Sequence, residues 1–332
     1  MTSGMRLVPS GARRRLFQAT GAAAPYAQVL FKLDVGYLDG LYAKETPDTY
    51  KLGGYDRIDL TSGLRDSGWA VRDQGFRRNT CVAFAVSACL ELLNLRSGGG
   101  VEFLSPQFLY WHMRTQPRDE DEPPGWKTGA TKLGYAKKVL ENYGICSWNT
   151  CPYIDHVPSD LGIEGPKPSS EAIAEARDRI VNSFTYKDYP PSVGRPENGV
   201  AGNIYDELAK GHPVAAAVPM FRRSSSNRET NWHGRRAEEF GVIPDPATGT
   251  SIVESLGEND SPGHAFCIVG FEPDPKERTG GWFLFRNSWG LGWARLFQDG
   301  GKPPQVQGCG YGAISATYIE KFCWEWLSPH QG

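Results

Sequence analysis

Apolar positions change their period about midway along the chain. The segment CVAFAVSACLELL (81–93) is apolar nearly all round, which predicts a helix buried on most faces over 80–96. Thr80 stands where an N-cap is expected, and SGGG at 97–100 stops the helix. LSPQFLYWHM (104–113) predicts a second helix, with Ser105 as N-cap and Pro106 at the first helical position. Over 132–144, Leu133, Ala136, Val139 and Leu140 recur at helical spacing and Gly144 is the stop. Two more helices are expected at 170–183 and 204–210. PVAAAVPM (213–220), HAFCIVGF (264–271) and WFLFRNSW (282–289) are instead short, β-rich and bounded by Gly or Pro, which predicts strands. Helices first and strands later predict an α+β fold with two lobes, not alternating βαβ units. The stretch 222–262 reads as one long loop, of the length that usually carries function. Residues 1–54 read as an N-terminal extension and 55–332 as the main domain, with no internal repeat.

Composition narrows the picture. The 332 residues are 39% hydrophobic and 22% charged, ordinary for a globular protein. A net charge of −2 gives no field that would recruit nucleic acid, and no apolar run reaches the ~20 residues of a membrane span. Seven cysteines leave at least one thiol without an intrachain partner, and their spacing does not suggest a disulfide framework, which points to a reducing, cytoplasmic setting. The arginine-bearing N-terminus has no acid before Asp34. It reads as a basic tail, the other readings being a short pro-like arm, an organelle-targeting segment or the N-terminus of a delivered effector.

The candidate chemistry starts at Cys81. A thiol is nucleophilic as a thiolate, and the first turn of a helix favours negative charge. His264 opens one apolar strand and Asn287 ends another, so a small sheet can bring them together. In a Cys–His–Asn set, the histidine takes the thiol proton and later protonates the leaving amine, while the asparagine fixes the imidazole tautomer. Trp289 can cover the His–Asn bond. Core packing would be the ordinary reading of Cys81 alone, as it is for Cys89 two turns on.

VRDQGFRRNTCVAFAV, LSPQFLY, GHAFCIVGF and RNSWG, in that order, resemble the motifs of papain-like cysteine peptidases. The likeness extends to IDLTSGLRDSGWAVRDQG, YGICSWNTCPY and GCGYGAIS, and so runs from about residue 55 to about 320. It implies a helical left lobe and a β-barrel-like right lobe with the site in the cleft between them. It also implies Cys81 as nucleophile, His264 as base and acid, Asn287 as the orienting residue, and Gln74 as the side-chain donor of the oxyanion hole. Gly129 and Trp289 would contact an extended protein or peptide substrate. No cofactor and no metal are implied. The family's Cys-Gly-Ser-Cys-Trp is here Arg78-Asn79-Thr80-Cys81-Val82, without the first cysteine or the tryptophan. The loop from Gln74 to Cys81 is one residue longer than usual, and Cys309 lacks its usual partner.

The expected activity is thiol-dependent peptide hydrolysis through an acyl-enzyme. A thiol acyl transferase or transpeptidase, a narrow processing or effector protease, and a pseudo-peptidase that only binds peptides are the alternatives. Arg77 and Arg78 read as a solvated loop. Cys146, Cys151 and His156 (C-x4-C-x4-H) form a weak zinc pattern, with a local bridge or free thiols the better reading. The acid run 118–124 reads as a surface loop.

Overall fold

Helix α1 (Cys81–Arg96) is buried along nearly its whole length because its sequence offers no polar stripe. It packs against α2 (Pro106–Thr115) and α3 (Leu133–Tyr143), and its other side meets the sheet. In this computed structural model, residues 54–64, 67–116, 126–189, 199–221, 230–246, 263–295 and 310–330 are described. The expected extension, the acid run 118–124, most of the 222–262 stretch and Cys309 lie outside them. The Ser105 side chain caps α2, accepting from the Phe108 N–H at 3.0 Å, with Pro106 at the first position. Gly144 ends α3 at φ +74°, where a Cβ would meet the Ala176 carbonyl at 1.9 Å. The shorter helices are α4 (Ser170–Arg177), α5 (Val200–Ala209), α6 (Arg235–Phe240) and α7 (Ala316–Phe322).

Eight strands form one sheet: β1 (Ile58–Asp59), β2 (Phe184–Asp188), β3 (Val214–Pro219), β4 (Val242–Ile243), β5 (Gly263–Pro273), β6 (Gly281–Arg286), β7 (Tyr311–Ser315) and β8 (Glu325–Pro329). Their order is β2-β8-β3-β5-β6-β7-β4, with β1 on β5. All pairs are antiparallel except β4 with β7. The class is α+β, as expected, but among the described residues the sheet stays open. The barrel-like closure expected for the second lobe is not formed, because β2 and β4 end the strand order without pairing to each other. No described helix is long and apolar enough to cross a membrane.

The core runs unbroken from the helices into the sheet. Leu92, Leu109, Phe266, Phe283 and Phe285 are fully buried, each worth about 1.5–3 kcal/mol relative to exposure. Within this seam the Cys89 and Cys267 sulfurs lie 3.3 Å apart as free thiols, tying α1 to β5.

One ion pair is sunk into the seam. Arg72 binds Glu91 of α1 and donates to the Leu104 carbonyl at 2.7 Å. Glu91 also accepts from the Trp69 indole at 2.8 Å and the Leu104 N–H at 2.9 Å. Burial pulls the Arg72 guanidinium down to about 10, opposed by Glu91 and aided by Arg286. Removing one member strands the other's charge in the interior. Glu91→Ala is therefore expected to cost about 3–5 kcal/mol in urea unfolding. A loss below 1 kcal/mol would show that the pair is not the anchor its burial suggests.

Candidate active site

Cys81 is the first residue of α1. The expected cap is absent: the Thr80 side chain makes no capping bond, and its hydroxyl pairs with the Tyr153 hydroxyl at 2.9 Å. The main-chain N–H groups of Cys81 and Val82 are thus close enough to act on the sulfur electrostatically. A third N–H comes from Ala265 of β5, the residue after His264. Burial pushes the Cys81 thiol up, and these three donors pull it back.

His264 lies near the start of β5 and Asn287 directly after β6. The Cys267–Arg286 register of these strands puts the two segments side by side. His264 Nε2 lies 2.7 Å from Asn287 Oδ1. The Ser288 N–H also donates to that Oδ1, at 2.8 Å, which fixes it as the acceptor. Nε2 therefore carries the hydrogen, and Nδ1 of the neutral ring keeps a lone pair. Burial brings His264 down to about 4; the Asn287 bond pulls upward and the nearby His233 pushes further down.

Trp289 lies over the imidazole, ring centroids 4.5 Å apart. Trp232 meets the imidazole edge-on at 5.0 Å, and His233 stacks on Trp289 at 6.0 Å. Trp232 and His233 were missed in the sequence because they fall within the stretch read as one long loop. The Trp-His pair inside a polar run was the available signal.

Gln74 is held at both ends. Its N–H donates to the Ser288 carbonyl at 2.8 Å, its carbonyl accepts from the Tyr153 hydroxyl at 2.8 Å, and the Ser288 hydroxyl donates to Oε1 at 2.6 Å. Nε2 reaches only the Arg78 carbonyl, at 3.3 Å, so one of its two hydrogens has no strong acceptor there. Ser288 is a positioning residue that sequence reasoning did not single out, although it lies inside RNSWG.

Gly129 sits at φ +96° beside Tyr110. Its N–H donates to the Trp126 carbonyl at 2.9 Å and its carbonyl accepts from the Tyr110 hydroxyl at 2.8 Å. The second lone pair of that carbonyl is left open.

The solvated reading of Arg78 is overturned. Arg78 is 4% exposed and donates to Gln107 Oε1 at 2.7 Å and to the carbonyls of Ile154 at 2.7 Å and Glu164 at 3.0 Å. It lies over the Tyr110 and Tyr153 rings. The guanidinium is buried because three acceptors and two aromatic faces replace its water. It occupies the place where the resemblance expects a disulfide cysteine, and it clamps the same loop. Cys146 and Cys151 are buried free thiols, with Cys146 pushed up and Cys151 down by the bond between them. The exposed His156 bonds to Arg77 instead, so C-x4-C-x4-H does not converge.

No protein-family model matches the chain, and no curated protein matches it by sequence. Solved structures do. Xylellain, a cysteine protease from Xylella fastidiosa, is 19% identical, with a TM-score of 0.58 over 88% of this chain and 95% of that one. Digestive procathepsin L 3 of the Tenebrio molitor larval midgut is 16% identical, with a TM-score of 0.52 over 98% of this chain and 95% of that one. The chain has the papain-like cysteine protease fold.

His264 is buried neutral, so folding must give up a proton on acidification. Its folded value lies below its ordinary 6.5. The stability it contributes is present above about 6.5 and is lost as pH falls from there through about 4. Urea midpoints measured from pH 7 to pH 4 are expected to fall less steeply in His264→Gln than in the wild type. Equal slopes would remove His264 as the group responsible.

Proposed function

We propose that the protein is a cysteine peptidase. The observation that carries this reading is the 2.7 Å bond from His264 Nε2 to Asn287 Oδ1. It lies at the start of β5, where the Ala265 N–H acts on the sulfur of Cys81. The fold it shares with two cysteine proteases supports the same reading.

The chemistry follows from the donors and acceptors. The Cys81 proton passes to His264 Nδ1, and Sγ bonds to the scissile carbonyl carbon. Burial penalises each charge taken singly, but the thiolate–imidazolium pair has no net charge, and its internal attraction offsets that penalty. The carbonyl oxygen becomes an oxyanion facing Gln74 Nε2 and the Cys81 N–H. His264 Nδ1–H protonates the departing amine as the C–N bond breaks, leaving a thioester on Cys81. Water, deprotonated by Nδ1, attacks the thioester, and the C–S bond breaks to restore the thiol. Asn287 keeps Nε2 protonated and the ring in plane throughout. Trp289 covers the His–Asn bond from water, and substrate lies against Gly129 and Trp289.

An epoxysuccinyl peptide is expected to modify Cys81 far faster than the other six thiols, read by peptide mass mapping, and His264→Ala should erase that selectivity. Gln74→Ala should lower kcat/KM by about 10²–10³-fold. Equal labelling of all accessible thiols would sink the enzyme reading. Acyl transfer to an added amine in place of hydrolysis would assign the site to a transferase. Peptide binding without turnover would assign it to a pseudo-enzyme.

A further inference from the structure

Away from the cleft, Glu207, His212 and His330 converge. Glu207 lies in the last turn of α5, His212 follows that helix, and His330 directly follows β8. His212 Nδ1 and His330 Nε2 each lie 3.0 Å from the same oxygen, Glu207 Oε2. The two imidazoles stack, with centroids 4.4 Å apart and planes 24° from parallel. The Thr185 hydroxyl of β2 adds a fourth donor, 3.2 Å from Glu207 Oε1 and 3.1 Å from His330 Nε2. The main chain holds the frame: the His212 N–H donates to the Glu207 carbonyl at 3.0 Å, and the His330 N–H to the Ser183 carbonyl at 2.9 Å.

We propose that Glu207, His212 and His330 form a structural binding site for a divalent transition metal of the zinc type. Two imidazoles and one carboxylate are a donor set that zinc accepts, with Thr185 or water in a fourth position. The ligating atoms all lie within 4.8 Å of one another. Bonds of about 2.0–2.2 Å put tetrahedral donors roughly 3.3–3.6 Å apart. The observed 3.0 Å spacings need open by only a few tenths of an ångström. Glu207 is 4% exposed, so its carboxylate is already withdrawn from most of its water.

Two features oppose metal: the stacked imidazoles must splay to aim both in-plane lone pairs at one ion, and Lys210 sits on the carboxylate. Its ammonium lies 3.1 Å from Glu207 Oε1, but the side chain is 59% exposed and can swing into solvent. The ion would lock the end of β8 to α5 and, through Thr185, to β2. β3 separates β8 from the strand that carries His264. The site is independent of the proposed peptidase chemistry, and either can fail without the other.

The test is titration of the full-length, reduced chain with Co2+ and with Zn2+, after removal of adventitious metal. One ion per chain is expected. The Co2+ form should show d–d bands of nitrogen and oxygen ligation and no thiolate-to-cobalt charge-transfer band. His212→Ala and His330→Ala should each weaken binding by about 10–100-fold or more. Lys210→Gln, at an exposed position that does not threaten the fold, should tighten it. Thermal unfolding should rise with bound metal in the wild type and not in the two histidine variants. The proposal is overturned if no ion binds, if the spectrum is that of a thiolate site, if both histidine variants bind as the wild type does, or if Lys210→Gln leaves affinity unchanged or weaker.

Discussion

The site depends on a short seam between two segments far apart in the chain. Residues 69–74 lead into α1, which begins at Cys81, and residues 286–290 carry Asn287 and Trp289. Arg286 donates to the carbonyls of Trp69 at 2.9 Å and Ala70 at 2.5 Å, and its guanidinium lies 3.9 Å from the Trp69 ring centre. Gln74 and Ser288 then exchange main-chain and side-chain bonds, and the Gly290 N–H reaches the Arg72 carbonyl at 3.2 Å. Gln74, Asn287 and Trp289 lie on these segments, and His264 is bonded to one of them through Asn287. Arg72 joins the same seam to the middle of α1 through Glu91.

The local electrostatics come from main-chain groups more than from charged side chains. The sulfur of Cys81 is met by three N–H groups, two from its own helix and one from β5. The Thr80 side chain makes no capping bond, so it does not compete for the Val82 N–H near the sulfur. The imidazole is treated in the opposite way. It is packed among Trp232, Trp289 and Phe266, where charge is disfavoured until a partner of opposite sign forms beside it.

Much of this was legible in the sequence, for particular reasons. The all-round apolarity of 81–93 announced a helix buried on most faces, and α1 is buried along nearly its whole length. Ser105–Pro106 and Gly144 marked real boundaries because capping is local chemistry. His264 and Asn287 could be paired because each sat at the end of an apolar run. What escaped were long-range effects. Arg78 looked solvated because no local pattern shows that Gln107, Ile154 and Glu164 fold back around it. Thr80 looked like a cap because its competitor, Tyr153, lies 73 residues on. The sheet was expected to close, and strand order is not written in the period of any one strand.

The Arg78 clamp has a chemical consequence for Cys81 as the proposed nucleophile. A catalytic thiol must stay reduced to react, while a disulfide holding its loop must stay oxidised to be of use. A protein that needs both is confined to conditions that spare one sulfur and not another. Here the loop is held by a guanidinium on three oxygen acceptors and two aromatic faces, none of which a reductant can cut. The shape of the loop before Cys81 is thereby uncoupled from thiol–disulfide exchange, and a strong reductant can protect the Cys81 thiol without loosening its support.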